Sequence, residues 1–69
     1  MRRYLVIVER CETGFTAYTP DLPGCVGAGP TIEAAEEAIH AALRLHIEGM
    51  EKDGEPIPQT ASVAEYLLL

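Results

Sequence analysis

The sequence predicts an α+β fold in which three short strands precede one long helix and a last strand follows it. Three observations carry this prediction: β-prone runs near the start, apolar residues at helical spacing from Ile32 onward, and a proline- and glycine-rich stretch over residues 15–31 that separates them. The 69 residues suffice for one domain, residues 1–69. A chain this short buries only ~60% of its unfolded surface, so self-association is the expected supplement to its stability.

The first two strands are predicted as a hairpin. Residues 4–8 read Tyr-Leu-Val-Ile-Val, a β-branched and aromatic run that is apolar on both faces, so we expect both faces to be covered. Residues 11–14 form the turn, where Gly14 can supply a positive φ, and residues 15–19 form the second strand.

A rigid corner follows the hairpin. Pro20 and Pro23 end the strand ladder because neither has an N–H to donate. Asp21 is expected to form an Asx-turn by bonding the backbone two residues on. Residues 25–28 then form a short third strand, in which Gly27 indicates close approach by other backbone.

The helix is predicted from residue 32 to about residue 52. Thr31 is a suitable N-cap, Glu33 lies in the first turn where the helix dipole favours an acid, and Gly54 is suited to a left-handed C-cap. The predicted buried stripe consists of Ile32, Ala35, Ile39, Ala42, Leu43, Ile47 and Met50.

The remainder of the chain is predicted to be extended. Prolines 56 and 58 impose this on residues 55–59, and residues 63–69 are expected to form a fourth strand, with a short helical turn from Ser62 as the alternative. The order is therefore β-β-β-α-β, with the helix packed on one face of the sheet. Because one helix covers only one face, we expect a homodimer or homotetramer.

Composition restricts the possible partners. Eleven acidic residues against five Lys and Arg give a net charge of −6, which disfavours direct binding to nucleic acid. The apolar run after Arg3 is too short for a signal peptide or a membrane span, so a cytoplasmic protein without membrane contact is expected. Cys11 and Cys25 are then expected to be reduced.

No catalytic, cofactor-binding or metal-binding residues are predicted. His40 and His46 are six residues apart on the helix and point in different directions; His40 is expected to be exposed and His46 to be a hydrogen-bonded or interface residue. Cys25 has no adjacent base to activate it as a nucleophile. The alternative is a metal-dependent nuclease remnant that uses Asp21 with a helix acid such as Glu36.

Two segments resemble the signature of HicB-like antitoxins. Residues 18–25 read Tyr-Thr-Pro-Asp-Leu-Pro-Gly-Cys, and residues 29–35 read Gly-Pro-Thr-Ile-Glu-Ala-Ala; Gly54 to Pro58 also resembles the family's exit from its helix. The similarity runs roughly from Tyr4 to Pro58. It implies a partial ribonuclease H-like sheet without that enzyme's carboxylate cluster. It also implies a partner, a small basic HicA-type toxin that cleaves messenger RNA and whose active site the antitoxin masks.

The resemblance makes the corner a candidate interface rather than a catalytic centre. The predicted partner-binding residues are Tyr18, Pro20, Asp21, Leu22 and Pro23. Many family members add a DNA-binding segment, for which a chain ending at Leu69 has no room, so operator binding is not expected. The alternative is an orphan oligomeric domain with no toxin partner.

Overall fold

A three-stranded antiparallel sheet with one helix packed across it accounts for most of the chain in the computed structural model, which describes residues 2–69. The strands are β1 (Ile7–Cys11), β2 (Gly14–Tyr18) and β3 (Val26–Gly29), in the spatial order β1-β2-β3, and the helix is α1 (Ile32–Asp53). The α+β class and the β-β-β-α order are confirmed. The ribonuclease H-like relation stays a prediction.

The hairpin turn sets the register of β1 and β2. Cys11 pairs with Gly14 across a two-residue turn, and Gly14 has a φ of 148°, a conformation that side chains disfavour and glycine tolerates. The expected positive φ at this glycine is confirmed.

The first strand lies further along the chain than predicted. β1 begins at Ile7 rather than Tyr4, because its first partner, Tyr18, is the last residue of β2 before the chain turns away at Pro20. Residues 4–6 therefore extend past the end of β2 without a partner strand. Their apolar side chains still contribute to packing, since Tyr4 and Val6 contact the core.

The helix packs directly on β3 because β3 has glycine where the two meet. A Cβ added to Gly27 would lie 2.5 Å from the backbone N of Ile39 and 2.9 Å from the backbone O of Ala35. The predicted close approach at Gly27 is confirmed. It buries the small face of α1, centred on Ala35 and Ile39, which are 0% and 2% exposed.

Both helix ends are as predicted. The Thr31 hydroxyl accepts a hydrogen bond from the Ala34 N–H at 3.0 Å, and Gly54 adopts a left-handed cap with φ 70°. One member of the predicted stripe is wrong: Ile32 is 44% exposed, since it lies at the very start of the helix, beyond the sheet. The core consists of Ala17, Leu22, Cys25, Ala35, Ile39 and Leu43.

The described residues 63–69 form neither the predicted fourth strand nor the alternative helical turn. Residues 55–69, called the arm below, follow the helix without regular secondary structure. Side chains rather than a strand ladder hold the arm: the Tyr4 hydroxyl donates to the Pro58 carbonyl, and Asp21 accepts bonds from Thr60 and Ser62. Pro56 and Pro58 also have no N–H with which to join a sheet.

Candidate partner-binding site

The face of the sheet opposite the helix, called the outer face below, carries an apolar row. Side chains alternate along a strand, and Val8 and Ala17 point to the helix. Ile7, Tyr18 and Val26 therefore point the other way, and the pairing places them side by side across all three strands. Tyr18 is 37% exposed and Val26 is 68% exposed, so this row is open to a partner.

The neighbouring row on the outer face is polar and small. The pairing aligns Glu9, Thr16 and Ala28, all of which are exposed. The outer face therefore presents a tyrosine and two aliphatic side chains beside a carboxylate. An aromatic contact flanked by a charge is a combination that suits protein interfaces.

The corner, residues 19–25, adjoins the end of this apolar row. Pro20 and Pro23 are exposed, as an interface would require. Leu22 is only 2% exposed and belongs to the core, so its side chain is not available at the surface. That Tyr18, Pro20, Asp21 and Pro23 contact a partner stays a prediction.

Asp21 connects the corner to the arm instead of forming an Asx-turn. That prediction is wrong, because the residue two positions on is Pro23, which has no N–H. One carboxylate oxygen of Asp21 accepts from the Ser62 hydroxyl at 2.9 Å; the other accepts from the Thr60 hydroxyl at 3.0 Å and the Ser62 N–H at 3.2 Å.

These bonds control the charge on Asp21. Partial burial acts to raise the pKa of the Asp21 carboxyl, but the hydrogen bonds from Ser62, Ala61 and Thr60 outweigh it and hold the pKa below 3.8. The carboxylate is therefore ionised at neutral pH. It contributes negative charge to the corner while fixing the position of the arm.

Thr60 and Ser62 are the site residues that sequence reasoning missed. They lie 39 and 41 residues from Asp21, so no local pattern joins them to it. The available signal was their spacing, since hydroxyls two residues apart on an extended chain point to the same side. A single carboxylate can accept from both.

The remaining candidate residues are distributed over the molecule. Cys25 is buried, and burial raises the pKa of its thiol, which keeps the sulfur protonated and unreactive. His40 is exposed as expected, and His46 is also exposed, so any role for His46 at an interface stays a prediction. Within residues 2–69, no group of three or more His, Cys, Asp or Glu side chains is placed to hold a metal ion.

In the part of the chain that the structure describes, no helix combines the length and apolar character needed to cross a membrane.

Comparison with protein families gives a match over nearly the whole chain. Residues 4–68 match a family described as the HicB_like antitoxin of a bacterial toxin-antitoxin system. Among curated proteins, an uncharacterized 14.9 kDa protein of Haemophilus phage HP1 is 34% identical over 64 residues, which cover 93% of this chain. The chain spans about half of that relative, 48% of its length.

Comparison with solved structures gives matches of the same kind. A chain of the HicA3 and HicB3 toxin-antitoxin complex superposes with a TM-score of 0.67 and 33% identity, over 80% of this chain and 64% of the other. The crystal structure of antitoxin HicB3 superposes with a TM-score of 0.69 and 32% identity, over 83% of this chain and 42% of the other.

Proposed function

Since the chain belongs to the HicB_like antitoxin family of bacterial toxin-antitoxin systems, we propose that it neutralises a small basic HicA-type mRNA endonuclease by masking its active site. The observation that carries the proposal is the likeness to a chain of the HicA3–HicB3 complex, at 33% identity and a TM-score of 0.67. In this proposal the protein is a binding module, not an enzyme. It acts in the cytoplasm, where mRNA is found.

The outer face and the corner form the proposed contact surface. Tyr18 and Val26 supply exposed apolar area that a partner would bury, and Pro20 and Pro23 adjoin them on a rigid backbone. A rigid surface loses little conformational entropy when it binds, which favours affinity. Tyr18 is the natural anchor, because aromatic side chains dominate the energetics of most interfaces.

The negative charge of the chain favours binding to a basic partner. The chain carries a net charge of −6, and Glu9 and the ionised Asp21 lie beside the apolar row or at its end. An RNA-cleaving toxin must attract phosphate with basic residues. Carboxylates can pair with the same basic residues, so a bound antitoxin excludes RNA both sterically and electrostatically.

Growth of cells that express the toxin tests this function. The product of the neighbouring reading frame is expressed with and without this chain, and we expect growth to stop with the toxin alone and to resume on co-expression. Tyr18→Arg and Val26→Arg should abolish rescue, because each places a positive charge where a basic partner docks.

Leu45→Arg is the matched control. Leu45 is 71% exposed on α1, away from the outer face, so this variant introduces the same charge at an equally tolerant site and should rescue growth fully. Absence of rescue by the unmodified chain, together with absence of co-purification, would reject the antitoxin function. Equal loss of rescue by Leu45→Arg would reject the outer face as the contact surface.

An orphan oligomeric domain is the second candidate, and the exposed apolar side chains of the arm favour it. Val63 is 77% exposed and Tyr66 fully so, which is costly for a chain that has no partner of any kind. This candidate predicts self-association without any effect on toxin-expressing cells. The same growth assay therefore separates the two functions.

A further inference from the structure

The Asp21 carboxylate carries a charge that no cationic side chain of the described residues neutralises. Across residues 2–69, the ion pair present is that of Arg2 with Glu51, 3.5 Å apart, and Asp21 takes no part in it. The donors to Asp21 are two hydroxyls and a backbone N–H, all of them neutral. Because Asp21 is only partly exposed, its charge is screened less than that of a surface residue. This charge is available to a cation from another molecule.

The bonds from the arm fix the position of this charge. The Ser62 hydroxyl lies 2.9 Å from one carboxylate oxygen of Asp21, and the Thr60 hydroxyl lies 3.0 Å from the other. The Ser62 N–H lies 3.2 Å from that second oxygen. Hydrogen bonds to an ionised group are stronger than those between neutral groups. Because both oxygens accept such bonds, rotation of the carboxylate is opposed on both sides.

The backbone on both sides of these bonds is also restricted. Pro20 and Pro23 lie close to Asp21 on either side, and each fixes its own φ angle. In the arm, Pro58 does the same two residues before the first hydroxyl, and its carbonyl accepts a hydrogen bond from the Tyr4 hydroxyl. The carboxylate and its donors are therefore held in place before any partner binds.

The fixed charge adjoins the apolar area of the outer face. Asp21 follows Tyr18, the last residue of β2, by three positions and lies in the corner at the end of the apolar row. Tyr18 is 37% exposed, and Pro20 and Pro23 are exposed. A partner that covers these side chains excludes water from the corner, and opposite charges attract more strongly where water is excluded.

We propose that Thr60 and Ser62 are positioning residues for toxin binding, and that they hold the Asp21 carboxylate in place to bind a lysine or arginine side chain of the toxin. The inference rests on the proposed antitoxin function and adds to it one ion pair and two residues of the arm. A carboxylate that is already fixed loses less conformational entropy on binding than a free one. A toxin cation bound to Asp21 is no longer available to the phosphates of RNA.

A purely structural role for the three bonds has different consequences. If they only attach the arm, substitutions at Thr60 and Ser62 change the attachment of the arm and leave the affinity for the toxin unchanged. If they position Asp21, the same substitutions weaken toxin binding although the net charge of the chain stays at −6. Affinity measured at constant net charge therefore separates the two roles.

Calorimetric titration with the purified product of the neighbouring reading frame makes this measurement. Thr60→Val replaces a hydroxyl by a methyl group, and Ser62→Ala removes the second hydroxyl. We expect the double variant to bind the toxin about tenfold more weakly than the unmodified chain. Asp21→Asn, which removes the charge, should lose at least as much affinity. Thr60→Ser keeps the donor and should restore what Thr60→Val loses.

Two matched controls lie outside the corner and the arm. Thr13→Val makes the same loss of a hydroxyl at an exposed residue of the hairpin turn, at the opposite end of β2 from Tyr18. Asp53→Asn makes the same loss of charge at an exposed residue in the last turn of α1. Both variants should bind the toxin as the unmodified chain does. A general effect of net charge would instead weaken Asp53→Asn and Asp21→Asn equally.

A double-mutant cycle separates positioning of Asp21 from direct contact between the arm and the toxin. Each lysine and arginine of the toxin is changed to alanine in turn, and its affinity is measured for the unmodified chain and for Asp21→Asn. One toxin cation should contribute to affinity only when Asp21 is present, which identifies it as the counter-ion. That coupling should largely disappear in the background of Thr60→Val, Ser62→Ala, whereas a direct contact of the arm would leave it intact.

Four results would overturn the inference. They are full affinity of the Thr60, Ser62 double variant, full affinity of Asp21→Asn, equal losses for Thr60→Val and Thr60→Ser, and the absence of a toxin cation coupled to Asp21. A circular dichroism spectrum checks that each variant folds; if the double variant does not, the single changes at Thr60 decide the question. Absence of toxin binding by the unmodified chain would reject the antitoxin function and this inference with it, whereas binding with equal affinities would reject the inference alone.

Discussion

Asp21 joins two parts of the chain that are far apart in sequence. Its carboxylate accepts hydrogen bonds from Thr60 and Ser62, 39 and 41 residues away, and so connects the corner to the arm. Because Asp21 lies between Pro20 and Pro23, the sequence predicts that it forms a turn. The structure shows instead a residue that positions the arm, which no local pattern around Asp21 reveals because the bonds are long-range.

The state of ionisation of Asp21 should control attachment of the arm. Because the folded-state pKa lies below 3.8, the contribution of Asp21 to stability is fully present above pH 3.8 and is lost as the pH falls through the lower folded-state value. The Ser62 amide signal in NMR spectra should titrate over that range. The same signal in Asp21→Asn should show no such titration, and a Ser62 shift that is independent of pH in the unmodified chain would contradict the connection.

The environment of Thr19 allows a prediction about stability. It is 3% exposed, and its hydroxyl oxygen has no hydrogen-bond partner among the described residues. A buried hydroxyl without a partner costs about 1–3 kcal/mol. Thr19→Val keeps the shape and removes the hydroxyl, so it should raise the free energy of unfolding by about 1 kcal/mol in urea titrations. A decrease of similar size would mean that the hydroxyl is hydrogen-bonded.

At the scale of elements, the contact between α1 and β3 determines the fold. The helix backbone lies against Gly27, and Ala35 and Ile39 fill the space on either side. The turn at Gly14 fixes the hairpin, and the caps at Thr31 and Gly54 fix the helix length. Because these features depend on residues that are close together in the sequence, the helix, its ends and the hairpin could be predicted from it.

Elements that depend on distant contacts could not be predicted equally well. The run from Tyr4 to Val8 predicts a strand, but where pairing begins depends on where β2 ends, and β1 starts at Ile7. Residues 63–69 have strand-like composition, yet the arm joins no sheet. It is held by the Tyr4 hydroxyl, which donates to the Pro58 carbonyl, and by the hydroxyls of Thr60 and Ser62, which donate to Asp21. For the predicted site, the sequence motif marks the corner, but it does not reveal that Leu22 is buried, because burial depends on distant packing.

Alanine substitutions at two glycines test the helix–sheet contact. Gly27→Ala should lower the free energy of unfolding by about 1–3 kcal/mol or more, because its Cβ would overlap the helix backbone. Gly49→Ala is the control: nothing lies within 4 Å of a Cβ there, and the helix should gain about 0.5–1 kcal/mol. Urea titration measures both, and a stable Gly27→Ala would contradict the close approach.

At the scale of the whole molecule, the proposed toxin contact occupies the outer face and the corner, on the side of the sheet away from α1. The net charge of −6 attracts a basic partner at long range. Charge can therefore accelerate binding of the toxin, whereas the apolar row of the outer face supplies the area that binding buries.

The negative charge of the chain predicts how the rate of toxin binding responds to salt. Raising the ionic strength should lower the association rate constant by about tenfold or more, because electrostatic steering is screened, while the dissociation rate constant changes much less. Surface plasmon resonance at several salt concentrations measures both constants. Salt-independent association would contradict a role for the acidic surface in the encounter.

The most direct measurement of the central claim is a calorimetric titration of this chain with the purified product of the neighbouring reading frame. The account predicts saturable binding, a loss of affinity of about tenfold or more for Tyr18→Arg, and unchanged affinity for Leu45→Arg. Absence of binding by the unmodified chain would contradict the antitoxin function, and equal affinity of all three proteins would contradict the outer face as its site.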